Sequence, residues 1–340
     1  MALPRSKYVQ DGEIGVYHCT TRCVRRAFLY GYDAYSGRDY SHRKAWISDR
    51  LQFLSSIFAL DVFEFSVMAN HYHVILRTRP DIVEGWSDYE IASRWLILCP
   101  NRYRSKKKPP PAIEDQIRAL ASCTDRIAEL RRRLSNLSWF MARLNEYIAR
   151  AANEEDDVKG RFWESRFKCQ VLLDDAAVAA CMVYVGLNPI RAGQAKTPED
   201  SDFTGIQLRI HSLRKEKKKS SEGVSSRSDD WLCPISSDTD PNGILAMSTE
   251  EYFNLVDRSG RIIRSDKQGF IAGDIEPILC RLGVISSAWL DTVSNFGDKF
   301  HLVAGLLHNI RSYADRIGIR WFAGVSASRS AFGDSVNMSS

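Results

Sequence analysis

Two histidines two residues apart, His71 and His73, open an apolar run that reaches Arg77, and a second apolar run, from Val62 to Met68, precedes them across Ala69-Asn70. The pattern reads as two strands meeting at a tight turn. Side chains on a strand alternate between faces, so His71 and His73 share one face while Tyr72, Val74 and Leu76 take the other and pack on a core. Two neighbouring imidazoles on a rigid sheet make a divalent-metal site; the plain alternative is a pair of surface or cross-strand histidines. Further on, Val178, Cys181, Met182 and Val185 fall at the i, i+3, i+4, i+7 spacing of a buried helix face. Tyr184 and Asn188 lie off that face and one turn apart, flanked by the small Ala177 and Ala180. Asp174 or Asp175 caps the start of this helix, and Pro189 limits it at or near Asn188. A phenol beside small residues, with an amide one turn later, reads as a site more than a core. An amphipathic packing role is the alternative for Tyr184. Tyr147 competes as a nucleophile, but it lacks a metal-type partner one turn on.

The elements that must position these groups follow from periodicity. Gly15 to Arg22 alternates as a strand, and Ala27 to Gly31 reads as a second short extended piece. Ser41 to Leu60 is helical, with Trp46, Leu51, Leu54 and Ile57 on a shared face. Strand, helix, strand, strand opens an α+β domain with an antiparallel sheet and flanking helices. Glu90 to Leu98 is a short helix. Ile113 to Asn153 has long helical periodicity, broken near Ser135 to Ser138. Ile206 to Leu213 is followed by a basic, Ser-rich linker over 214–230. Beyond it, Ile278 to Leu282 and Phe300 to Ile317 read as helical, so residues 231–340 form a small, mainly helical C-terminal domain. The expected organisation is therefore 1–213, 214–230 and 231–340.

The chain has 340 residues, net charge +5 and eight cysteines, none in a Cys-x-x-Cys pair. The sequence pI of about 8.7 permits a polyanionic partner. Cysteines without a visible secretory leader read as reduced thiols in a cytoplasmic protein. The His18-Cys19…Cys23 cluster lacks a second ligand pair for structural zinc and reads as part of the first strand. No stretch approaches the ~18–20 apolar residues that span a bilayer, so no membrane partner is expected.

Local basic clusters carry more information than the sum. Arg102, Arg104, Lys106, Lys107 and Lys108, closed by Pro109-Pro110-Pro111, form an exposed arm near 102–111, and phosphate contact is expected there. Arg131 and Arg132, inside the helical insertion 113–153, are further candidates. Arg161, Phe162, Trp163, Arg166 and Lys168 interleave rings with cations, which suits single-stranded nucleic acid or an aromatic anchor of the fold with cations reaching to solvent.

His71-Tyr72-His73 on a strand, followed by Tyr184-Val185-Gly186-Leu187-Asn188-Pro189-Ile190-Arg191-Ala192-Gly193 on a later helix, resembles the single-tyrosine HUH transposases. The closest likeness is to the REP-associated tyrosine transposases, and it covers about residues 13 to 210. Arg161-Phe162-Trp163-Glu164 resembles a segment just before the tyrosine helix in that group. Residues 231–340 look like an extension of longer members.

The resemblance implies an HUH/ferredoxin-like palm and a metal-dependent cut of single-stranded DNA at hairpin-bearing, REP-like repeats. By it, Tyr184 is the nucleophile, and His71, His73 and Asn188 are the metal ligands. Mg2+ is the expected cofactor, with Mn2+ tolerated. Attack on the phosphodiester would give a 5′-phosphotyrosine and a free 3′-hydroxyl, a reversible transfer rather than net hydrolysis. Relatives are both monomers and dimers. The alternative is a catalytically silent hairpin-binding protein derived from a transposase. A relaxase-like or replication-initiating nuclease is weaker, because no Gly-x4-Gly-Lys-Ser/Thr motif accompanies the histidines.

Overall fold

A computed structural model describes residues 3–24, 30–33, 37–100, 112–219, 229–264, 279–280, 282 and 284–333. The arm with Arg102, Arg104, Lys106, Lys107 and Lys108, most of the piece expected at 27–31, and 220–228 of the expected linker lie outside the described residues.

The frame is a five-stranded sheet. Its strands are β1 (Val16–Arg22), β4 (Leu60–Met68), β5 (His71–Thr78), β6 (Lys168–Leu172) and β7 (Val303–Ala304). A separate ribbon pairs β2 (Tyr32–Asp33) with β3 (Arg38–Asp39). The sheet order is β4-β5-β1-β6-β7. All neighbours are antiparallel except β6 and β7. Ala69-Asn70 makes the two-residue connection between β4 and β5, setting Met68 opposite His71 and Val67 opposite Tyr72.

The sheet has apolar contacts on both faces, but with different partners. Tyr17, Cys19, Tyr72, Val74 and Leu76 point into one core. Helix α2 (Arg43–Ile57) and the later helix α7 (Leu137–Glu155) contribute Leu51, Leu54, Phe140 and Leu144 to it. Between them lie the short α3 (Pro80–Glu84), α4 (Asp88–Leu98), α5 (Ile113–Ala121) and α6 (Thr124–Leu134); α1 is the N-terminal turn Arg5–Tyr8. The long periodicity expected over 113–153 is thus three helices. Asn136 caps the last by accepting from the Trp139 amide, which places the break within the predicted 135–138. A second break, at Ser122-Cys123, carries no Gly or Pro to announce it.

The opposite face receives α8 (Asp175–Gly186), α9 (Asn188–Arg191) and α10 (Gly205–Lys219). Asp174 is the cap of α8, accepting from the Ala177 amide at 3.0 Å. Phe63 and Ile75 of the sheet meet Val178, Cys181, Met182 and Val185 there. Ala177 and Ala180 are also fully buried. These small residues therefore serve close packing on a helix enclosed nearly all round, which corrects the expectation that they line an open site.

The enclosure comes from the C-terminal segment. It comprises α11 (Thr249–Arg264), α12 (Trp289–Ser294), α13 (Phe296–Lys299), α14 (Leu307–Arg316) and α15 (Val325–Phe332). Trp289, Val293 and Phe296 share the α8 core. Within the expected helix 300–317, Val303 and Ala304 instead pair with Val171 and Leu172 as the edge strand β7. The 214–219 stretch, expected to begin the linker, continues α10 to Lys219.

Candidate active site

Register across the sheet builds a polar patch before any other element is added. Ser66 faces His73, His73 faces Thr20, and Thr20 faces Lys168 in one row. In the next row Ile75, His18 and Gln170 align, and beyond the first row His71 stands opposite Arg22. Period-two alternation puts His18, Thr20 and Arg22 of β1 on this face and Cys19, Thr21 and Cys23 on the other. The expectation of one shared face for His71 and His73 holds, and a third histidine, His18, joins them. In the sequence, His18 is weighed with Cys19 and Cys23 for structural zinc, lacks a second ligand pair, and is left as part of the first strand. Its alternation with Thr20 and Arg22 was the signal that could have placed it.

The ring of His73 lies 5.0 Å from His71 and 5.1 Å from His18, centroid to centroid. Tyr184 of α8 meets both His73 and His18 edge-on, at 5.6 and 6.0 Å. A cleft of about 430 Å³ opens beside these four rings, and its walls include Arg22, Lys168, Glu164, Asp298 and His301. Phe296 tilts against Tyr184 at 5.9 Å. At Gly297 an added Cβ would lie 2.9 Å from the phenol oxygen, so a side chain there would push the phenol aside.

Burial governs the protonation of the site. It lowers His18 to about 4 against a raising bond from Gln170. His71 is lowered to about 4, first by burial and then by the Arg22 charge. His73 falls well below its usual value, again by burial first, then by the charges of His18, His71 and Arg191. The three rings are neutral at pH 7, the form in which imidazole binds metals. Burial raises Tyr184, while Arg191 pulls it back down.

Arg191 went unnoticed as a site residue. Its guanidinium carbon is 4.7 Å from the centre of the Tyr184 ring. Its Nη1 donates to Asn188 Oδ1 at 2.9 Å. Tyr184, Asn188 and Arg191 are spaced i, i+4, i+7, a helical face that the sequence displays.

No family model matches the chain, and no curated protein does. A solved structure described as a REP-associated tyrosine transposase bound to a REP hairpin is matched at 12% identity, over 73% of this chain and 100% of that chain, with a TM-score of 0.35.

Of the expected metal ligands, His71 and His73 line the cleft. Asn70 Oδ1 accepts from His71 Nδ1 at 2.7 Å, which leaves Nε2 of His71 as a lone pair. His73 Nδ1 is 2.8 Å from His18 Nε2. Among the described residues no three His, Cys, Asp or Glu side chains are grouped to hold a metal ion. Two neutral imidazoles can serve as nitrogen donors to a divalent cation, and a magnesium- or manganese-like ion there would need oxygen ligands for its remaining positions. Asn188 is not among the cleft-lining residues. It is buried, its oxygen is taken by Arg191, and its Nδ2 has no partner. Pro189 lacks the N–H that would continue the ladder, so α8 ends at Gly186 and Asn188 begins α9.

The expected DNA-contacting residues separate into two groups. Lys168 lines the cleft, and Arg132, Arg161 and Arg166 are exposed. Phe162 is buried, and Trp163 donates from Nε1 to the Asn145 carbonyl at 2.9 Å while packing edge-on to Tyr72. Both rings pack in the fold, Phe162 within the core and Trp163, partly buried, against it. Arg131 donates to the carbonyls of Val83 and Trp86 and to Asp88. It ties α6 to the end of α3 and the start of α4. Tyr147 is 45% exposed on α7, with Arg50 over its ring, and lines no part of the cleft. Among the described residues, no helix is long and apolar enough to cross a membrane.

Proposed function

We propose that this chain is a nicking and joining enzyme for single-stranded DNA, of the single-tyrosine HUH transposase kind, acting on hairpin-bearing REP-like repeats with Tyr184 as nucleophile. One observation carries the reading: the phenol of Tyr184 meets His73 edge-on at 5.6 Å, beside a cleft walled by Arg22 and Lys168. A half-buried phenol next to neutral imidazoles, on an open cleft with two cations in its wall, supports attack on a phosphodiester.

In this reading a DNA phosphate lies between Tyr184 and the two HUH histidines. The phenol gives up its proton to water, its oxygen attacks phosphorus, and the bond from phosphorus to the 3′-oxygen breaks. The electron pair goes to that 3′-oxygen, which takes up a proton. The products are a 5′-phosphotyrosine and a free 3′-hydroxyl. The ester bond is exchanged, not hydrolysed, so a later 3′-hydroxyl can reverse the step. Arg191 favours the phenolate against burial, and Lys168 and Arg22 draw the phosphate into place. His71 and His73 would hold a divalent cation, magnesium or manganese, with Asn188 as a third ligand once its carboxamide leaves Arg191. When bound, the cation offsets charge on a non-bridging phosphate oxygen and orients the group. The unpartnered Nδ2 of Asn188 supports a carboxamide free to turn, since an unsatisfied buried amide costs about 1–3 kcal/mol. Arg161, Arg166, Arg132 and the basic arm at 102–111 would hold the flanking strand by charge. The reading carries with it a cytoplasmic protein, monomeric or dimeric.

The test is a labelled hairpin oligonucleotide incubated with the protein and magnesium, then resolved under denaturing conditions. A covalent adduct is expected from the unaltered protein. Tyr184→Phe should abolish it and leave hairpin binding nearly intact. An undiminished adduct in that variant would move the nucleophile elsewhere, with Tyr147 next. Tight hairpin binding with no adduct from the unaltered protein would leave only the silent binding protein.

A further inference from the structure

A chain of hydrogen bonds runs from the C-terminal segment into the histidines, and it has only one consistent direction. It begins at the backbone carbonyl of Phe300, which can only accept. The side-chain amide of Gln170 donates to it from Nε2, and that fixes the orientation of the amide. Gln170 Oε1 then faces His18 Nδ1 at 3.3 Å. An amide oxygen can only accept, so the proton of His18 sits on Nδ1 and its Nε2 carries a lone pair. That Nε2 lies 2.8 Å from His73 Nδ1. Two lone pairs cannot face each other at that distance, so His73 carries its proton on Nδ1. Thr20 Oγ1, 3.1 Å from the same Nδ1, accepts from it as well. The remaining nitrogen of His73, Nε2, is bare.

We propose that Gln170 and His18 are positioning residues that lock His73 into its Nδ1–H tautomer, with the Phe300 carbonyl as anchor, so that the cleft receives the Nε2 lone pair of His73 as a ligand for a divalent cation. Three separate parts of the chain build the lock. β6 brings Gln170, β1 brings His18, and the turn between α13 and β7 brings Phe300. His18 and Gln170 stand directly opposite one another in the sheet register, so a single residue's slip of β6 would break the chain. Phe300 is almost wholly buried, and its backbone amide is held by the Phe296 carbonyl at 3.0 Å. The anchor is therefore rigid. A ligating histidine held through its other nitrogen is the general arrangement in metal sites, where loss of the outer partner weakens metal affinity. The C-terminal segment thereby has a task in the site, since without Phe300 the amide of Gln170 is free to turn over and present its NH2 to His18. The role of His73 as ligand rests on the nuclease reading; the tautomer does not.

The experiment is nitrogen-15 NMR of the histidine rings in the metal-free full-length protein. His18 and His73 are each expected to show a protonated Nδ1 and an unprotonated Nε2. In His18→Phe and Gln170→Leu, His73 should become a mixture of tautomers. Mn2+ affinity, read from the free-ion electron paramagnetic resonance signal, should fall about tenfold to a hundredfold. An Nε2–H tautomer of His73 in the unaltered protein overturns the proposal, and that measurement needs no variant to fold. Unchanged Mn2+ affinity in both variants, with their folds intact, overturns it too. The expected tautomer and Mn2+ losses in a protein that cuts no hairpin would sink the nuclease reading and leave the lock standing.

Discussion

The guanidinium carbon of Arg191 stands 4.7 Å over the centre of the Tyr184 ring. Burial raises the phenol's pKa and this cation opposes it, so removing the cation must raise it further. In Arg191→Gln the rate of adduct formation at neutral pH is expected to fall about 2- to 30-fold, the span of a cation–ring contact of roughly 0.5–2 kcal/mol. The alkaline limb of the pH–rate profile should move to higher pH. Single-turnover adduct rates across neutral to alkaline pH measure both. A lower rate with an unmoved limb would mean that Arg191 acts on DNA and not on the phenol.

Gly297 offers a second handle on the same oxygen. A Cβ there would lie 2.9 Å from the Tyr184 hydroxyl, and the phenol, at the far end of a side chain, would turn to make room. Gly297→Ala is therefore expected to leave the melting temperature nearly unchanged. Adduct formation should fall tenfold or more, since a displacement of about 1 Å can cost on the order of a hundredfold in rate. Hairpin affinity, measured by fluorescence anisotropy, should stay within about twofold if the step affected is chemical, a change of under ~0.5 kcal/mol.

Glu64 makes stability depend on pH. It is fully buried on β4, and its Oε1 accepts from the amides of Phe65 and Ile206 at 3.1 and 3.0 Å, at the start of α10. Tyr252 of α11 donates to Oε2 at 3.3 Å. Burial raises its pKa to about 7, against the lowering charge of Arg209 and the backbone bonds. The folded value lies above the unfolded one, so this group's stabilisation is fully present below the unfolded pKa and is lost as pH rises through 7. At about 1.4 kcal/mol per unit, the loss above both values is on the order of 3 kcal/mol. Glu64→Gln keeps an acceptor for the amides and a donor for Tyr252. It is expected to match the unaltered protein in mildly acidic urea melts and to exceed it at alkaline pH. Parallel pH profiles for the two proteins would exclude Glu64 as the titrating group.

Much of this site could be read from short-range pattern. The alternation at 71–77 places both histidines and the buried Tyr72, Val74 and Leu76, and the Asp174-Asp175 pair marks the start of α8, with Asp174 the cap the structure uses. What could not be read depended on contacts distant in sequence. The Ala residues of α8 read as room for a ligand because nothing in residues 174–188 reveals that Trp289 and Val293 complete the core they belong to. Val303 and Ala304 read as helix because two residues carry no period, and only the exposed edge of β6 makes them a strand. His18 was visible by alternation, yet its pairing with His73 is a matter of strand order, which a single sequence does not encode locally. Arg131 shows the same limit: a run of three arginines is identical on paper whether its cations meet phosphate or the carbonyls of Val83 and Trp86.

The segment 161–168 allows that ambiguity to be tested, because its rings and cations now have different expected roles. Phe162 is 4% exposed and packs edge-on to Trp163 at 4.8 Å. Phe162→Ala should lower stability by about 3–5 kcal/mol, the usual result of emptying a buried aromatic site. Under folding conditions it should alter hairpin affinity little. Arg161, exposed beside it, should behave in the opposite way. Arg161→Ala is expected to leave the urea midpoint unchanged, weaken hairpin binding, and reduce the slope of log affinity against log salt by about 1 for one lost phosphate contact. Anisotropy titrations at several salt concentrations, paired with urea melts, separate the two. A folded Phe162→Ala protein that has lost hairpin binding at every salt concentration would return that ring to the DNA.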